Sequence, residues 1–228
     1  MFLTRRRPLV RGFPLAALSA AALAAFGQEP GLDPATKTRV EGDLAKIRQA
    51  DANRKIAFLT YGTPQADLYM ALQNFRDTRV KATLDAVQAL FPVRAAMPKD
   101  RWKALVAPFA ERPPQPLLAE EALKALPAVV PDEARRKPAE KALKELADTA
   151  KDVEDYRRGA RKRVFDLLEK ETSTLEDFVS VLAKYDDKQE KLDDRLAADT
   201  LALQRSLTAA EWQELVRRIS RPPSGDTR

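Results

Sequence analysis

Residues 139–170 read AEKALKELADTAKDVEDYRRGARKRVFDLLEK, and in them Leu143, Leu146, Ala150, Val153, Ala160, Val164 and Leu167 fall three, four or seven residues apart. That is the period of one face of an α-helix. The next segment opens at Ser173-Thr174-Leu175-Glu176 and continues with Phe178, Leu182, Tyr185, Leu192, Leu196 and Leu203. Its first four residues have the pattern of a capping box, in which the serine caps and the glutamate reaches back. Two such stripes joined by a short turn predict an antiparallel, coiled-coil-like hairpin.

Working upstream, a helix over 34–60 presents Val40, Leu44 and Ile47 on one face and ends at Tyr61-Gly62, where glycine can take the left-handed conformation. A partner helix is predicted to open at Thr63-Pro64 and to stop at Phe91, before Pro92. No segment alternates apolar and polar residues with a period of two, so the fold class is all-α. Between the hairpins Pro113, Pro114, Pro116, Pro127, Pro131 and Pro138 interrupt any long helix, although 117–126 can form a short amphipathic one. The expected organisation is a leader over 1–27, a hairpin unit over 28–111, a proline-rich connector over 112–138, a second hairpin unit over 139–220 and a flexible tail over 221–228.

The only two tryptophans, Trp102 and Trp212, are 110 residues apart, and each is followed, after two intervening residues, by Leu-Val. The same offset superposes Asp67 on Asp177, Leu72 on Leu182, Phe75 on Tyr185 and Thr63 on Ser173. This predicts a tandem repeat of two long hairpins, each closed by a short tryptophan-containing helix. In the second copy Thr208 and Glu211 form a capping box, and Leu207 and Trp212 occupy the flanking staple positions, so Trp102 and Trp212 are expected in the core. Leu207-Thr208-Ala209-Ala210-Glu211 resembles the LTxxQ motif of the periplasmic Spy/CpxP-like stress proteins, with glutamate in place of glutamine. That resemblance covers the second half of the chain, and it implies an exported helical hairpin protein, some members of the family being ATP-independent chaperones.

Composition narrows the chemistry. With no histidine and no cysteine, disulfides, imidazole or thiolate metal centres and histidine-dependent triads are excluded. The expectation is therefore no cofactor, no metal and no enzymatic activity, with a carboxylate-only hydrolase as the remaining catalytic rival. The net charge of +6 is concentrated in the leader, whose Arg5, Arg6, Arg7 and Arg11 precede an apolar run from Phe13 to Phe26. Without it 36 cations face 34 acids, which gives no reason to expect nucleic-acid binding. The leader reads as a signal peptide ending at Gly27, directing the chain to the periplasm or outside the cell by general secretion or, through Arg6-Arg7, by twin-arginine export.

Two charged groups invite a functional reading. Residues 157–163 hold five cations in seven positions. From these Arg158, Arg161 and Lys162 are candidates for docking acidic protein clients, envelope components or lipid headgroups at the membrane surface, against the plain alternative of a solvated face. Arg157, counted outward from the turn, should lie beside Gln189 or Asp186 as a polar layer that fixes hairpin register. The acids Asp186-Asp187 and Asp193-Asp194 read as solvated. Together these features predict an exported helical binding protein, an envelope-stress chaperone or adaptor, with a self-associating envelope scaffold as the alternative.

Overall fold

A computed structural model describes residues 33–110 and 118–220. The leader, part of the connector over 111–117 and the tail over 221–228 lie outside the described residues. The described chain is all-helical: α1 Pro34–Leu59, α2 Gln65–Ala96, α3 Lys99–Ala110, α4 Leu118–Val129, α5 Glu133–Glu169, α6 Leu175–Ser206 and α7 Ala209–Ile219. Among the described residues no helix is long and apolar enough to cross a membrane.

Helix α1 packs antiparallel on α2 and α5 antiparallel on α6, and the two pairs meet along α2 and α6. The apolar stripes supply the cores. At one end Val40, Val87, Leu90 and Val93 pack with Trp102, Val164, Leu168 and Phe178. At the other, Leu68 and Leu72 meet Leu196 and Ala197, while Leu126, Leu143, Leu203 and Trp212 form a neighbouring cluster. Both clusters spanning α2 and α6 join residues from before and after the connector, so neither pair buries its stripe alone. Helix α4 closes the second end, lying on both α5 and α7.

Several boundaries differ from those read in the sequence. Helix α2 does not stop before Pro92 but continues to Ala96. Proline removes the bond to the carbonyl four residues back, and here both Pro92 and Gln88 face solvent, which can hydrate that carbonyl, while Val93 and Met97 hold the last turn in the core. Helix α5 likewise starts at Glu133 rather than at 139, capped by Asp132, whose carboxylate accepts from Arg135 N at 3.1 Å. Pro138 and Ala134, the positions of the missing bond, are again exposed. Helix α4 extends past 126 through Pro127 to Val129.

The caps also shift by one residue. Thr174, not Ser173, caps α6: its N–H and hydroxyl both donate to Asp177 Oδ2, at 2.8 and 3.2 Å. Ser173 is buried in the turn, where its hydroxyl donates to Leu167 O and Lys170 O. Thr63 plays the matching part in the first turn, donating to Thr60 O at 3.0 Å, and Pro64 occupies the cap position of α2. At α7 the box forms between Thr208 and Glu211, and Arg135 clamps Glu211 in a bidentate pair at 2.9 and 3.1 Å. Those donors hold the Glu211 carboxyl below its ordinary value of 4.5, the Arg135 hydrogen bond contributing most.

The turn between α1 and α2 depends on Gly62, whose φ is +76°. An added Cβ at Gly62 would touch nothing within 4 Å, so only the backbone conformation opposes a side chain there. Gly62→Ala is expected to lower stability by about 1 kcal/mol and Gly62→Asn by less, read as urea midpoints at unchanged m-value. A neutral alanine would show that this turn adjusts freely.

Candidate functional site

Tying the turns in place requires donors from outside each pair, and the structure supplies them reciprocally. Trp102 of α3 donates its indole N–H to Leu168 O at 2.9 Å, at the end of α5. Trp212 of α7 donates to Leu59 O at 2.8 Å, at the end of α1. Arg94 donates to Lys170 O at 3.1 Å, while Gln204 donates to Thr60 O at 3.0 Å and accepts from Gly62 N at 3.1 Å. Both tryptophans are buried, 3% and 5% exposed, and act as core anchors for the opposite pair's turn rather than as exposed stacking platforms.

Midway between the ends the bundle interior changes from apolar to ionic. Arg54 of α1, Arg76 and Arg79 of α2, and Arg157 and Arg161 of α5 all enter one layer with Asp51, Asp186, Gln189 and Asp193. Gln189 donates to Asp193 Oδ1 at 2.7 Å, and Arg157 Nη2 lies 3.8 Å from the same oxygen. Arg76 Nε stands 3.0 Å from Asp186 Oδ1, yet this nitrogen makes no aligned hydrogen bond. The guanidinium of Arg79 lies over the Phe75 ring at 5.2 Å, and that of Arg54 at 5.1 Å, cation–π contacts that suit charges withdrawn from water.

The energetics of this layer are set by burial. Desolvation pulls Arg79 down to about 9, with Arg157 and Arg54 adding repulsion, and pulls Arg157 down to about 10. Asp193 is pushed upward, also by burial, against the attraction of Arg157 and its hydrogen bond from Gln189. Both partners of the Arg157–Asp193 pair are thus shifted against their charged forms. Loss of hydration outweighs the attraction, the usual balance for a buried pair.

The residues singled out in the sequence divide between surface and interior. Arg157 and Gln189 line the same cavity as Asp186, with Asp193 between the first two. Arg161 is corrected: at 3% exposure it belongs to the interior and cannot dock a client. The helix turns it inward because it lies one turn from Arg157 and one residue from the Ala160 position of the stripe. Arg158 and Lys162 remain on the exposed face of α5, where Arg158 lies 3.5 Å from Asp155. Asp193, read as solvated, is 1% exposed, since it follows Gln189 by one helical turn and so shares its buried face. Sequence reasoning missed Arg76 and Arg79. The signal was an arginine at position 79 within the stripe Leu72, Phe75, Ala82 and Ala86, all four of them buried.

Among the described residues no group of three or more acidic side chains is placed to hold a metal ion. No protein-family model, curated protein or solved structure matches the chain.

Proposed function

We propose that the chain is a tandem duplication of a helical hairpin unit, and that it is an exported binding protein acting as an extracytoplasmic chaperone or adaptor. The duplication is supported by registration of the helices at a constant offset of 110 residues. Helices α2 and α6 are each 32 residues long and start at Gln65 and Leu175, α1 and α5 end at Leu59 and Glu169, and α3 and α7 start at Lys99 and Ala209. The turn-capping donors follow the same offset, Arg94 with Gln204 and Trp102 with Trp212. In this reading each unit's closing helix is exchanged onto the other unit's turn.

The observation that carries the binding role is the split of the basic run on α5. Arg157 and Arg161 turn inward, and Arg158, Lys162 and Arg163 are left together on the exposed face. Such a face attracts acidic clients over a distance of about 8 Å at physiological salt. The double reversal Arg158→Glu/Lys162→Glu should slow association with a denatured acidic client about tenfold at low salt, and leave folding nearly unchanged. Aggregation suppression at low and high salt, wild type against variant, measures it. Equal activity in all four conditions would remove the α5 face from the mechanism, and no suppression by the wild type would remove the chaperone reading.

Self-association is favoured by a different feature. Of the five exposed large apolar side chains among the described residues, Ile56, Tyr61 and Met70 belong to the α1–α2 turn and its flanks. A mass that rises with concentration in light scattering, and no longer does so in Ile56→Ser/Met70→Ser, would support that alternative.

A further inference from the structure

The ionic layer encloses a cavity of about 40 Å³ whose walls include Arg76, Arg79, Arg157, Arg161, Gln189 and Asp186. Four guanidinium side chains therefore face a space lined by a single carboxylate, and that carboxylate is half-exposed at the rim beside Arg76. Asp186 and Val80 also border a surface groove of about 370 Å³ along α2, lined further by Asp77, Lys81 and Asp85. Of the other acids near the layer, Asp193 is already engaged by Gln189 and Arg157, Asp51 is paired with Arg54 and Lys55, and Glu154 attracts Arg79 and Arg157 without lining the cavity. Arg79 is more than nine-tenths buried, its contact is the face of Phe75, and its Nε is a buried donor with no acceptor. Arg157 Nε is in the same state.

Buried donors on cations without acceptors are among the costliest features an interior can carry, and a cavity beside them is the place where an acceptor would sit. We infer that this cavity is an anion-binding site, taking one small oxyanion head group that accepts from the forks of Arg79 and Arg157. Guanidinium geometry suits carboxylate and phosphate oxygens alike, as parallel N–H···O bonds. The volume has room for a few waters or a single such head group. The free ligand is either an inorganic oxyanion or a small organic acid that enters carboxylate-first past Asp186. The site is separate from the exposed face of α5 and stands whether or not that face binds clients.

The test is thermal unfolding of the full chain in millimolar phosphate, acetate or chloride at constant ionic strength, for wild type, Arg79→Met and the exposed control Lys141→Gln. Wild type and control should gain a saturable rise in Tm of about 5–10 °C at a hundredfold excess over Kd, with either phosphate or acetate but not chloride. Arg79→Met should show none. The oxyanion that saturates at the lower concentration identifies the source. A rise that never saturates, or one equal in Arg79→Met, overturns the site. Should Arg79→Met fail to fold, the guanidinium Nε–Hε resonances of the wild-type chain decide. Saturable movement of buried arginine signals supports the site, and no movement with either oxyanion overturns it.

Discussion

Trp102→Ala and Trp212→Ala are each expected to lower stability by about 3–5 kcal/mol, the range for deleting a large buried aromatic. Each substitution removes a side chain at least 95% buried and takes the donor away from a carbonyl at the end of a helix in the opposite pair, Leu168 O or Leu59 O. The two losses separate experimentally. Trp→Phe keeps most of the packing and leaves only the carbonyl unpaired, so it should cost about 1–3 kcal/mol. Urea unfolding of the four variants measures both contributions. Hydrogen exchange adds a spatial readout, since Trp102→Ala should loosen amides near 168–174 and Trp212→Ala those near 59–64. A loss below about 1 kcal/mol for either alanine would mean that the indole is not a core anchor, and exchange confined to its own pair would break the reciprocal arrangement.

Asp193→Ala is expected to cost about 3–5 kcal/mol, because it leaves Arg157 and Arg79 facing one another in the interior without that counter-charge. Removing the charges together should have the opposite sign. In Arg79→Met/Arg157→Met/Asp193→Leu the desolvation that shifts all three groups against ionisation disappears, and the triple variant should equal wild type or exceed it by about 1–4 kcal/mol. Denaturant midpoints at one pH compare the two. If Asp193→Ala were harmless, Asp193 would not be the counter-charge of the layer. If the triple variant lost as much as the single one, the layer would hold the bundle together, and its retention could not be attributed to ligand binding.

Much of this architecture was legible because apolar spacing has a local cause. A stripe of Leu143, Val153 and Val164 can be buried in one piece only by a helix, and the described chain over 33–110 and 118–220 follows that rule without a strand. The box at Thr208 and Glu211 and the left-handed Gly62 were equally local, since each involves atoms within a few residues of one another. Prolines misled. Pro92 and Pro138 break a hydrogen bond wherever they stand, but the cost depends on whether the orphaned carbonyl meets water, and in both cases the affected positions turned out to be exposed.

The candidate site was legible in part for the same reason. Arg157 and Gln189 could be placed together because a hairpin turn fixes which residues face each other across α5 and α6. The stripe of α2 marks Arg79 as buried, but neither it nor Arg76 could be assigned to this layer, since both reach it only through the packing of α2 on α6.

By itself the sequence determined the helical class, the position of the two hairpin turns near 61 and 172, the absence of histidine and cysteine chemistry and the burial of both tryptophans. Periodicity, turn residues and composition act over a few residues and leave their mark in order along the chain. The tertiary structure alone decided that Trp102 ties down the turn at 170 and Trp212 the turn at 60, that Arg161 and Asp193 are interior, and that four arginines share one cavity. Those outcomes depend on which helix faces which, at what height and with what rotation. They are set by the sum of many weak packing contacts among residues up to about 150 positions apart, as between Trp212 and Leu59 at 153, and no local pattern in the chain encodes such a sum.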